Sequence, residues 1–557
     1  MNRFAQLLDR LAFEHARNGK LRILTDYFRH TEDPDRGYAL AAMTGALAFQ
    51  HAKAGLIRAL ICERTDQTLF EMSYDYVGDL SETVALLWPA RPLQIAAIGD
   101  NSPPPPTLSE IIEILHDTPK AALPQALSGL LDQLDETGRW ALLKLITGGL
   151  RIGVSARLAK TALAALGEVE PNAIEEIWPG LAPPYLDLFA WMEGRADRPV
   201  VSDPAPFRAA MLAHAIEEGN FANLNPEDFV AEWKWDGIRV QAVAGYDDEG
   251  GVVGRLYSRT GEDISGAFPD VLEAICARSF GAAAIDGELL ILREGRVESF
   301  GALQQRLNRK KVDAKLIAEF PAHVRAYDLL SEDGEDLRSL PFAERRMRLT
   351  RFLETRTPSR FDLSPLVPFA DWDALAQARR DPSSAGGDAN AIEGVMLKRV
   401  DSIYVPGRPT GPWWKWKRDP FTLDAVLMYA QRGHGKRSSF YSDYTFGVWR
   451  EGAQGDELVP VGKAYFGFTD ADLKLLDKWV RDHTTNRFGP VREVEANRKI
   501  GLVLEVAFEG VQRSARHKSG VAMRFPRVSR IRWDKPARDA DRIEAVEALI
   551  GERKQGD

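Results

Sequence analysis

The chain has 557 residues, of which 45% are hydrophobic and 27% are charged, and its formal net charge is −9. This length and apolar fraction predict a globular protein of about three to four domains and exclude disorder on a large scale. The two cysteines, Cys62 and Cys276, are too few for a disulfide framework or a four-cysteine zinc site, so a reducing cytoplasm is expected.

Residues 1–200 predict an all-helical domain, because apolar residues recur at helical spacing between short polar breaks. Asp9 and Arg10 interrupt the first apolar stretch, and no apolar run long enough for a membrane span follows, so we expect neither secretion nor membrane insertion. Thr107 and Glu110 fit a capping box at the start of a later helix.

A glycine-rich turn, TGGLRIG, joins two of these predicted helices. Gly149 and Gly153 leave backbone N–H groups exposed near a helix start, and Arg151 lies between them, which is typical of phosphate contacts in DNA-binding proteins. An ordinary interhelical turn fits the same residues equally well.

The apolar period changes from 3.6 to 2 after residue 200, which predicts a mixed α/β domain over residues 201–418. Shorter β-rich segments with one helix then predict a C-terminal OB-fold β-barrel over residues 419–545, followed by a tail at 546–557. The strand-like runs of the α/β domain lie at 228–244, 252–258, 283–292, 323–330 and 393–400.

Basic residues are concentrated in the last third of this acidic chain. From Arg408 to Arg437 there are seven Lys or Arg against two Asp, and from Arg513 to Lys535 there are eight against one. Such clusters interleaved with aromatics are typical of nucleic-acid surfaces, although solvated charged faces give the same composition.

The segment EWKWDGIR has the K-x-D-G-x-R spacing of a covalent nucleotidyl-lysine site. In a strand, Glu232, Lys234 and Asp236 lie on one face, while the two intervening tryptophans pack on the other. Gly237 then permits a sharp turn past a phosphate, and Arg239 supplies a fork-shaped phosphate or ribose ligand.

A lysine that attacks phosphorus must lose its proton, although its unperturbed pKa is about 10.4. One cation about 4 Å away lowers such a pKa by roughly three units. In PWWKWKRD, Lys415 and Lys417 share one strand face, so we expect these cations to lower the pKa of Lys234. A lysine-rich edge strand is the structural alternative.

Further charged residues lie on the following predicted strands. Asp286 and Glu288 share one face of AIDGELL, where carboxylates bind ribose or Mg²⁺. Glu393 and Lys398 require a bend at Gly394 if both are to reach one pocket, because strict alternation separates them. The segments YSRTGEDIS and RAYDLL add Arg259 and the aromatic Tyr327.

In its order of motifs the chain resembles the ATP-dependent DNA ligases. The succession is EWKWDGIR, SRTGED, DGELL, AYDLL, EGVMLK, WWKWK and RFPRVSRIRWDKP. TGGLRIGVSARL resembles the DNA-binding domain of the family, so the resemblance covers nearly the whole chain. It implies a helical DNA-binding domain, an adenylation (nucleotidyltransferase) domain and an OB domain.

The resemblance implies that Lys234 carries AMP, Glu232 reads adenine and Tyr327 stacks on it. Glu288 is expected to bind ribose or metal, and Glu393 to bind metal. The remaining expected cofactor-binding residues are Arg239, Arg259, Lys398, Arg408, Lys415, Lys417, Arg532, Asp534 and Lys535. The last three form the R-x-D-K signature that orients pyrophosphate. The chain departs from the family pattern at two places: one extra residue stands between Arg408 and Lys415, and Trp533 stands where relatives often have an acidic residue.

The resemblance further implies the sealing of 5′-phosphate/3′-hydroxyl nicks with ATP and Mg²⁺ or Mn²⁺, in DNA repair, replication or recombination. The partner is nicked double-stranded DNA, which a monomer of the cytoplasm, or of the nucleoid in a bacterium, encircles. The alternatives are an RNA ligase and a non-catalytic DNA-binding protein that retains the fold. A capping enzyme lacks so large a helical region, and an NAD-dependent ligase carries a four-cysteine zinc module.

Overall fold

The computed structural model describes residues 1–77, 79–89, 105–200, 203–307, 309, 312–386, 388, 391–432, 441–452, 455–465, 470–489, 491–514 and 518–552. The chain divides into two compact units. One comprises Met1–Pro171, Ala182–Pro199 and Pro420–Glu552, and the other contains Asn172–Leu181 and Val200–Asp419. No helix in the described part of the chain has the length and apolar run needed to cross a lipid bilayer.

Every described element up to Met192 is helical, as predicted. Apolar residues at helical spacing, including Leu8, Phe28 and Leu163, form the buried core of this region. The predicted capping box of Thr107 and Glu110 is confirmed. The helices are α1 (Asn2–Phe13), α2 (Arg17–His30), α3 (Asp35–Thr44), α4 (Ala54–Arg64), α5 (Gln67–Val77), α6 (Leu80–Leu87), α7 (Leu108–Asp117), α8 (Leu123–Gln133), α9 (Glu136–Thr147), α10 (Ala156–Leu166), α11 (Pro171–Ile177) and α12 (Leu186–Met192).

The middle of the chain is the predicted mixed α/β region. Its elements are β1 (His214–Ala215), α13 (Glu218–Phe221), β2 (Phe229–Trp235), β3 (Ile238–Tyr246), β4 (Val252–Ser258), α14 (Pro269–Cys276), β5 (Ala283–Arg293), β6 (Arg296–Val297), α15 (Phe300–Gln304), α16 (Ala314–Glu319), β7 (Ala322–Glu332), β8 (Glu335–Asp336), α17 (Phe342–Arg356), β9 (Phe361–Leu363), β10 (Leu366–Val367), α18 (Trp372–Arg380), β11 (Ile392–Arg399) and β12 (Trp413–Lys417).

Two sheets organise this region. One has the strand order β1-β12-β11-β2-β10, and the other has the order β4-β3-β5-β7-β8, with β6 beside β5 and β9 beside β7. The run predicted as one strand at 228–244 is broken at Asp236 and Gly237, so that β2 and β3 belong to different sheets. The K-x-D-G-x-R segment therefore passes from one sheet to the other.

The C-terminal region is the predicted barrel. Its elements are β13 (Phe421–Arg432), β14 (Tyr441–Gly452), β15 (Gly455–Tyr465), α19 (Asp470–Asp482), β16 (Thr484–Phe488), β17 (Val491–Val494), β18 (Val503–Phe508), β19 (Gly510–Arg513), β20 (Val521–Arg524), β21 (Arg527–Arg532) and α20 (Ile543–Glu552). The sheet runs β14-β15-β21-β18-β13-β17-β16, and β13 also pairs with β14, which closes it. Alternate apolar residues such as Leu423, Phe446 and Val461 fill the interior.

The predicted tail at 546–557 is wrong as far as Glu552. Helix α20 continues through this stretch, and Val546 is buried in the core of the barrel. Burial of this apolar face explains why the helix extends past residue 545. Residues 553–557 lie outside the described part of the chain.

Candidate active site

Lys234 lies on β2, and the two faces of this strand carry the residues that the alternating sequence predicts. Trp233 and Trp235 are buried on the apolar face, in the same cluster as Trp414. Glu232 and Lys234 lie on the opposite face, because residues two apart in a strand share a side. The tryptophans therefore fix the strand from behind and direct the amine into the site.

Glu393 is the closest charged partner of Lys234. Lys234 Nζ donates to Glu393 Oε2 at 2.6 Å, and Lys417 Nζ lies 3.7 Å from the same oxygen. The pairing of β11 with β2 shifts between Ile392 and Gly394, leaving Glu393 as an extra residue in a β-bulge. The predicted bend is thus confirmed, and it turns the carboxylate toward the lysine.

Glycine is required at position 394 by the close approach of β12. A Cβ atom there would lie 2.2 Å from the Trp416 carbonyl oxygen. Its φ of +153° also lies in a region that residues with side chains seldom adopt. A side chain at this position would push β12, which carries Lys415 and Lys417, away from β11.

The predicted grouping of basic residues around β12 is present. Lys415 and Lys417 alternate with Trp414 and Trp416, which pack into the core behind the strand. Burial lowers the pKa of Lys415, and nearby cations lower it further. These cations are Arg408, Lys234, Lys417 and Arg259. Arg259 and Arg408 are both exposed, so the cluster opens to solvent.

The prediction that cations lower the pKa of Lys234 is wrong for this structure. Burial does lower the pKa of Lys234, but nearby carboxylates outweigh it and raise the pKa above its usual value. These carboxylates belong to Glu393, Glu288 and Asp236. Glu393 is close to both Lys234 and Lys417, so it offsets the repulsion between the two amines.

Glu288 provides a second carboxylate at this site. Burial raises the pKa of Glu288 to about 8, with Glu393 and Asp236 adding to the rise and Lys234 opposing it. Among the described residues, no group of three or more Asp, Glu, His or Cys side chains is arranged to hold a metal ion. Two carboxylates nevertheless suit Mg²⁺, which commonly takes one or two from the protein and the rest of its ligands from phosphates and water.

Gly237 is required by close packing of the turn that it occupies. A Cβ atom there would lie 2.5 Å from the Leu289 carbonyl oxygen and 2.8 Å from Glu288 Cγ. The glycine is therefore needed for close packing of the turn against β5. This packing brings the lysine strand next to the strand of Glu288.

Arg239 is held by a buried network. Its guanidinium donates to Asp286, to the Met211 carbonyl oxygen and, at 3.1 Å, to the Tyr404 hydroxyl. Tyr404 also donates to Asp286 at 2.6 Å. The prediction that Asp286 offers a free carboxylate to ribose or Mg²⁺ is wrong, because Asp286 is buried and engaged by Arg239 and Tyr404. The Arg239 guanidinium lies 5.9 Å from the centre of the Tyr327 ring.

Glu232 has two cationic partners, one of which was not predicted. Arg346 of α17 donates from Nη1 to Glu232 Oε1 at 2.6 Å, and Lys398 Nζ forms an ion pair with Oε2 at 2.6 Å. Lys398 is fully buried, and its amine lies 4.4 Å from the centre of the Tyr327 ring. No spacing relates Arg346 to the lysine motif, because 114 residues separate it from Glu232.

The R-x-D-K residues form their own cluster on the barrel. Arg532 donates to Asp534 from Nε at 3.0 Å and to Asp424 from Nη1 at 3.1 Å, and Lys535 donates to Asp424 at 2.8 Å. The hydrogen bond from Arg532 lowers the pKa of Asp534 to about 2. Trp533 is half exposed and borders a shallow groove beside α19.

The glycine-rich turn joins α9 to α10. Gly148 and Gly153 have left-handed φ values, and Arg151 is exposed between them. Lys20 donates to the carbonyl oxygens of Ile152 and Gly153 at 2.8 and 2.9 Å. These bonds anchor one side of the turn, while Gly149 and Arg151 remain at least partly accessible.

Three sequence profiles match the chain, each from DNA ligases. They are described as DNA ligase N terminus, over residues 1–164; ATP dependent DNA ligase domain, over residues 210–417; and ATP dependent DNA ligase C terminal region, over residues 437–535. The matched segments follow the order of the three predicted regions.

Similar proteins span almost the whole chain. A probable DNA ligase of Koribacter versatilis (strain Ellin345) is 31% identical over 99% of this chain and 96% of its own length. DNA ligase 1 of Korarchaeum cryptofilum (strain OPF8) is 28% identical over 99% of this chain and 98% of its own. The solved structure Pmar-Lig_PreS3 shares the fold, with a TM-score of 0.58 and 14% identity over 95% of this chain and 99% of that one. The chain therefore belongs to the ATP-dependent DNA ligases, enzymes that seal nicks in DNA.

Proposed function

We propose that Lys234 is the residue that takes AMP from ATP. Its amine attacks the α-phosphorus, a phosphorus–nitrogen bond forms, and pyrophosphate leaves. AMP then passes to the 5′-phosphate at a nick, and the adjoining 3′-hydroxyl displaces AMP to form the phosphodiester. The meeting of Lys234 with Glu393 and Lys417, on three different strands, is the observation that carries this proposal.

The cations around β12 suit the charge that develops at phosphorus in all three steps. Preorganised positive groups stabilise such a transition state without rearranging when it forms. Lys415 and Lys417 take the α-phosphate in this proposal, with Arg259 and Arg408 beside them at the open side of the site. Arg239, fixed by Asp286, holds ribose or phosphate.

The adenine lies between Tyr327 and Glu232 in this proposal. Tyr327 stacks on the base, and Glu232 accepts a hydrogen bond from it. Lys398 supports both groups, because its buried amine contacts Glu232 and the Tyr327 ring. Its role is therefore to hold these two groups rather than to contact phosphate.

The Lys234 proton must leave before attack, since only a neutral amine is nucleophilic. The ion pair with Glu393 opposes that loss. We propose that Glu393 and Glu288 would hold Mg²⁺ or Mn²⁺, which would supply positive charge to the phosphates. A Glu393 carboxylate engaged in this way would no longer raise the pKa of Lys234, whose proton could then pass to water. Glu288 suits this role because a cation relieves the cost of its buried charge.

The three functional domains in this proposal are a DNA-binding domain over residues 1–200, an adenylation domain over 201–418 and an OB domain from 419. Arg532, Asp534 and Lys535 orient pyrophosphate in the first step, and another face of the OB domain meets DNA later. A swivel about residues 417–421 permits both tasks. Arg379 supports this position of the hinge, because it pairs with Asp419 through two bonds of 3.0–3.1 Å and so holds the start of the linker.

Nicked duplex DNA is the proposed substrate, encircled by a monomer. In the helical domain, Gly149 and Gly153 offer backbone and Arg151 offers charge to the phosphates. X-ray scattering of the adenylated enzyme with and without nicked DNA tests encirclement and the swivel together. A more compact particle of one protein per DNA supports them, and an unchanged profile of the bound protein contradicts them.

Incubation with α-labelled ATP tests the assignment of the nucleophile. The wild type is expected to take up label that survives denaturation, whereas Lys234→Ala and Lys234→Arg take up none. Lys120→Ala, on the exposed surface of the helical region, is the matched control and should label like the wild type. Label on Lys234→Ala would contradict the assignment.

A further inference from the structure

We infer that Arg346 is a positioning residue that sets the base preference of the enzyme by holding Glu232. The inference rests on the proposed function, in which Glu232 reads the base of the nucleotide donor. Arg346 lies far from the lysine motif in sequence and belongs to none of the motifs that identify the family here.

The geometry of Arg346 fits one acceptor on each arm of its guanidinium. Nη1 donates to Glu232 Oε1 at 2.6 Å, and Nη2 donates to the Ser364 carbonyl oxygen. Ser364 precedes β10, whose residue Leu366 pairs with Glu232. Arg346 thus joins α17 to the edge of the sheet at the position of Glu232.

Lys398 holds the other oxygen of the same carboxylate. Its amine lies 2.6 Å from Glu232 Oε2 and is enclosed by aromatic rings. The ring centres, 4.4–4.8 Å from the amine, belong to Tyr327, Phe342 and Trp413. Glu232 therefore has one cation on each oxygen. The side chains of both cations, Arg346 and Lys398, are largely buried.

This arrangement fixes the Glu232 carboxylate as a hydrogen-bond acceptor for the base. A carboxylate has about four lone-pair positions, and the two cations occupy one on each oxygen. The remaining positions can accept from an exocyclic amine, as in adenine, and repel the carbonyl oxygen of a 6-oxopurine. Without Arg346, the carboxylate can rotate about its remaining contact with Lys398, so its free lone pairs no longer favour the amine over the carbonyl.

Neighbouring arginines on the same helix provide a contrast. Arg345 is fully buried and pairs with Asp328, so it holds α17 to β7. Arg348 pairs with Glu335 at the surface, away from Glu232. Arg346 alone among these three contacts the site, and Arg348→Met is therefore the matched control for a change at 346.

The test is single-turnover labelling with α-labelled ATP and with inosine triphosphate, which carries a carbonyl in place of the amine. For Arg346→Met we expect the ratio of kcat/KM for the two nucleotides to fall by about 10- to 100-fold, the worth of a charged hydrogen bond. Arg346→Lys should give an intermediate ratio, because lysine cannot bond both Glu232 and the Ser364 carbonyl. Arg348→Met should keep the wild-type ratio.

Glu232→Gln tests whether Arg346 changes the nucleotide preference by acting through Glu232. The double variant with Arg346→Met should have the same ratio as Glu232→Gln alone, because the two residues act as one unit. Equal losses with both nucleotides in Arg346→Met and Arg346→Lys would overturn the inference, since a purely structural role lowers both rates. A wild type that labels from ATP and inosine triphosphate equally would also overturn it. A wild type that labels from neither would overturn the proposed function instead.

Discussion

Two charged clusters of this ligase use the same residue types in opposite surroundings. Around Lys234, cations and carboxylates from separate strands meet in a partly buried site, with Lys234 Nζ 2.6 Å from Glu393. Around Arg532, Asp534 lies two residues away in sequence and is exposed, whereas Asp424 lies on β13, on the far side of β18 from Arg532. Both clusters join residues from separate strands, but the first lies in a partly buried site, whereas the second contains an exposed pair between residues close in sequence.

Burial changes what each ion pair contributes. A buried charge left without its partner is costly, whereas exposed pairs are screened by water and contribute little to folding. The adenylation region should therefore lose stability when a pair is broken, and the barrel cluster should lose function without losing stability.

The largest expected effect is on stability. Arg345→Met leaves the buried Asp328 carboxylate without its partner and should cost about 3–5 kcal/mol. Arg532→Gln should cost far less, because its partner Asp534 is exposed and its other partner, Asp424, keeps the ion pair with Lys535. Urea unfolding followed by tryptophan fluorescence measures both. Similar losses in the two variants would remove the distinction between the clusters.

The second effect is on self-adenylation. Glu393→Gln should slow it by about 10²–10³-fold, similar to the loss of one electrostatic contact to the transition state, because the proposed metal ion would lose a carboxylate ligand. The control is Glu335→Gln, which changes a surface pair of Arg348. Rapid-quench labelling at saturating Mg²⁺ gives both rates. A Glu393→Gln rate close to that of the control would exclude the carboxylate from the reaction.

The third effect separates the steps of ligation. Lys535→Met should slow self-adenylation by roughly 10- to 100-fold through loss of a charged contact to pyrophosphate. Joining of a nick that already carries AMP should be unaffected, because pyrophosphate has left by then. Measuring both with the same preparation provides its own control. A loss in the joining step would assign the cluster to DNA rather than to pyrophosphate.

The last prediction concerns the pH dependence of stability. The pKa of Glu288, raised by burial to about 8 in the fold, is about 4.5 in the unfolded chain. The fold retains this proton to higher pH, so stability should decline from about pH 4.5 to about pH 8 and then level off. Glu288→Gln should be less sensitive to pH over that range in urea unfolding. A steeper decline in the variant would contradict the assigned direction.

Much of the fold follows from local patterns. Alternation in EWKWDGIR and WWKWK predicted which side of each strand carries lysine. The opposite phases of Glu393 and Lys398 predicted a bend at Gly394, which the structure provides as a bulge at Glu393. The DNA ligase prediction is confirmed as well. These results depend on neighbours in sequence or on an ordered set of motifs.

The wrong predictions concern side chains whose surroundings are set by residues distant in sequence. Lys234 is paired with Glu393, 159 residues away, so its pKa is raised and not lowered. Asp286 is taken by Arg239 and Tyr404, which no spacing predicts. Arg346 was missed for the same reason. In each case the sequence predicted the residues of a strand correctly, but the closest partner of the key side chain lies on another element.

Peptide mapping of the wild-type enzyme after reaction with ATP tests the central claim most directly. The account predicts a single adenylate on the peptide that contains Lys234, joined through a phosphoramidate bond that acid breaks and alkali leaves intact. An adenylate on a different side chain, with Lys234 unmodified, would contradict it.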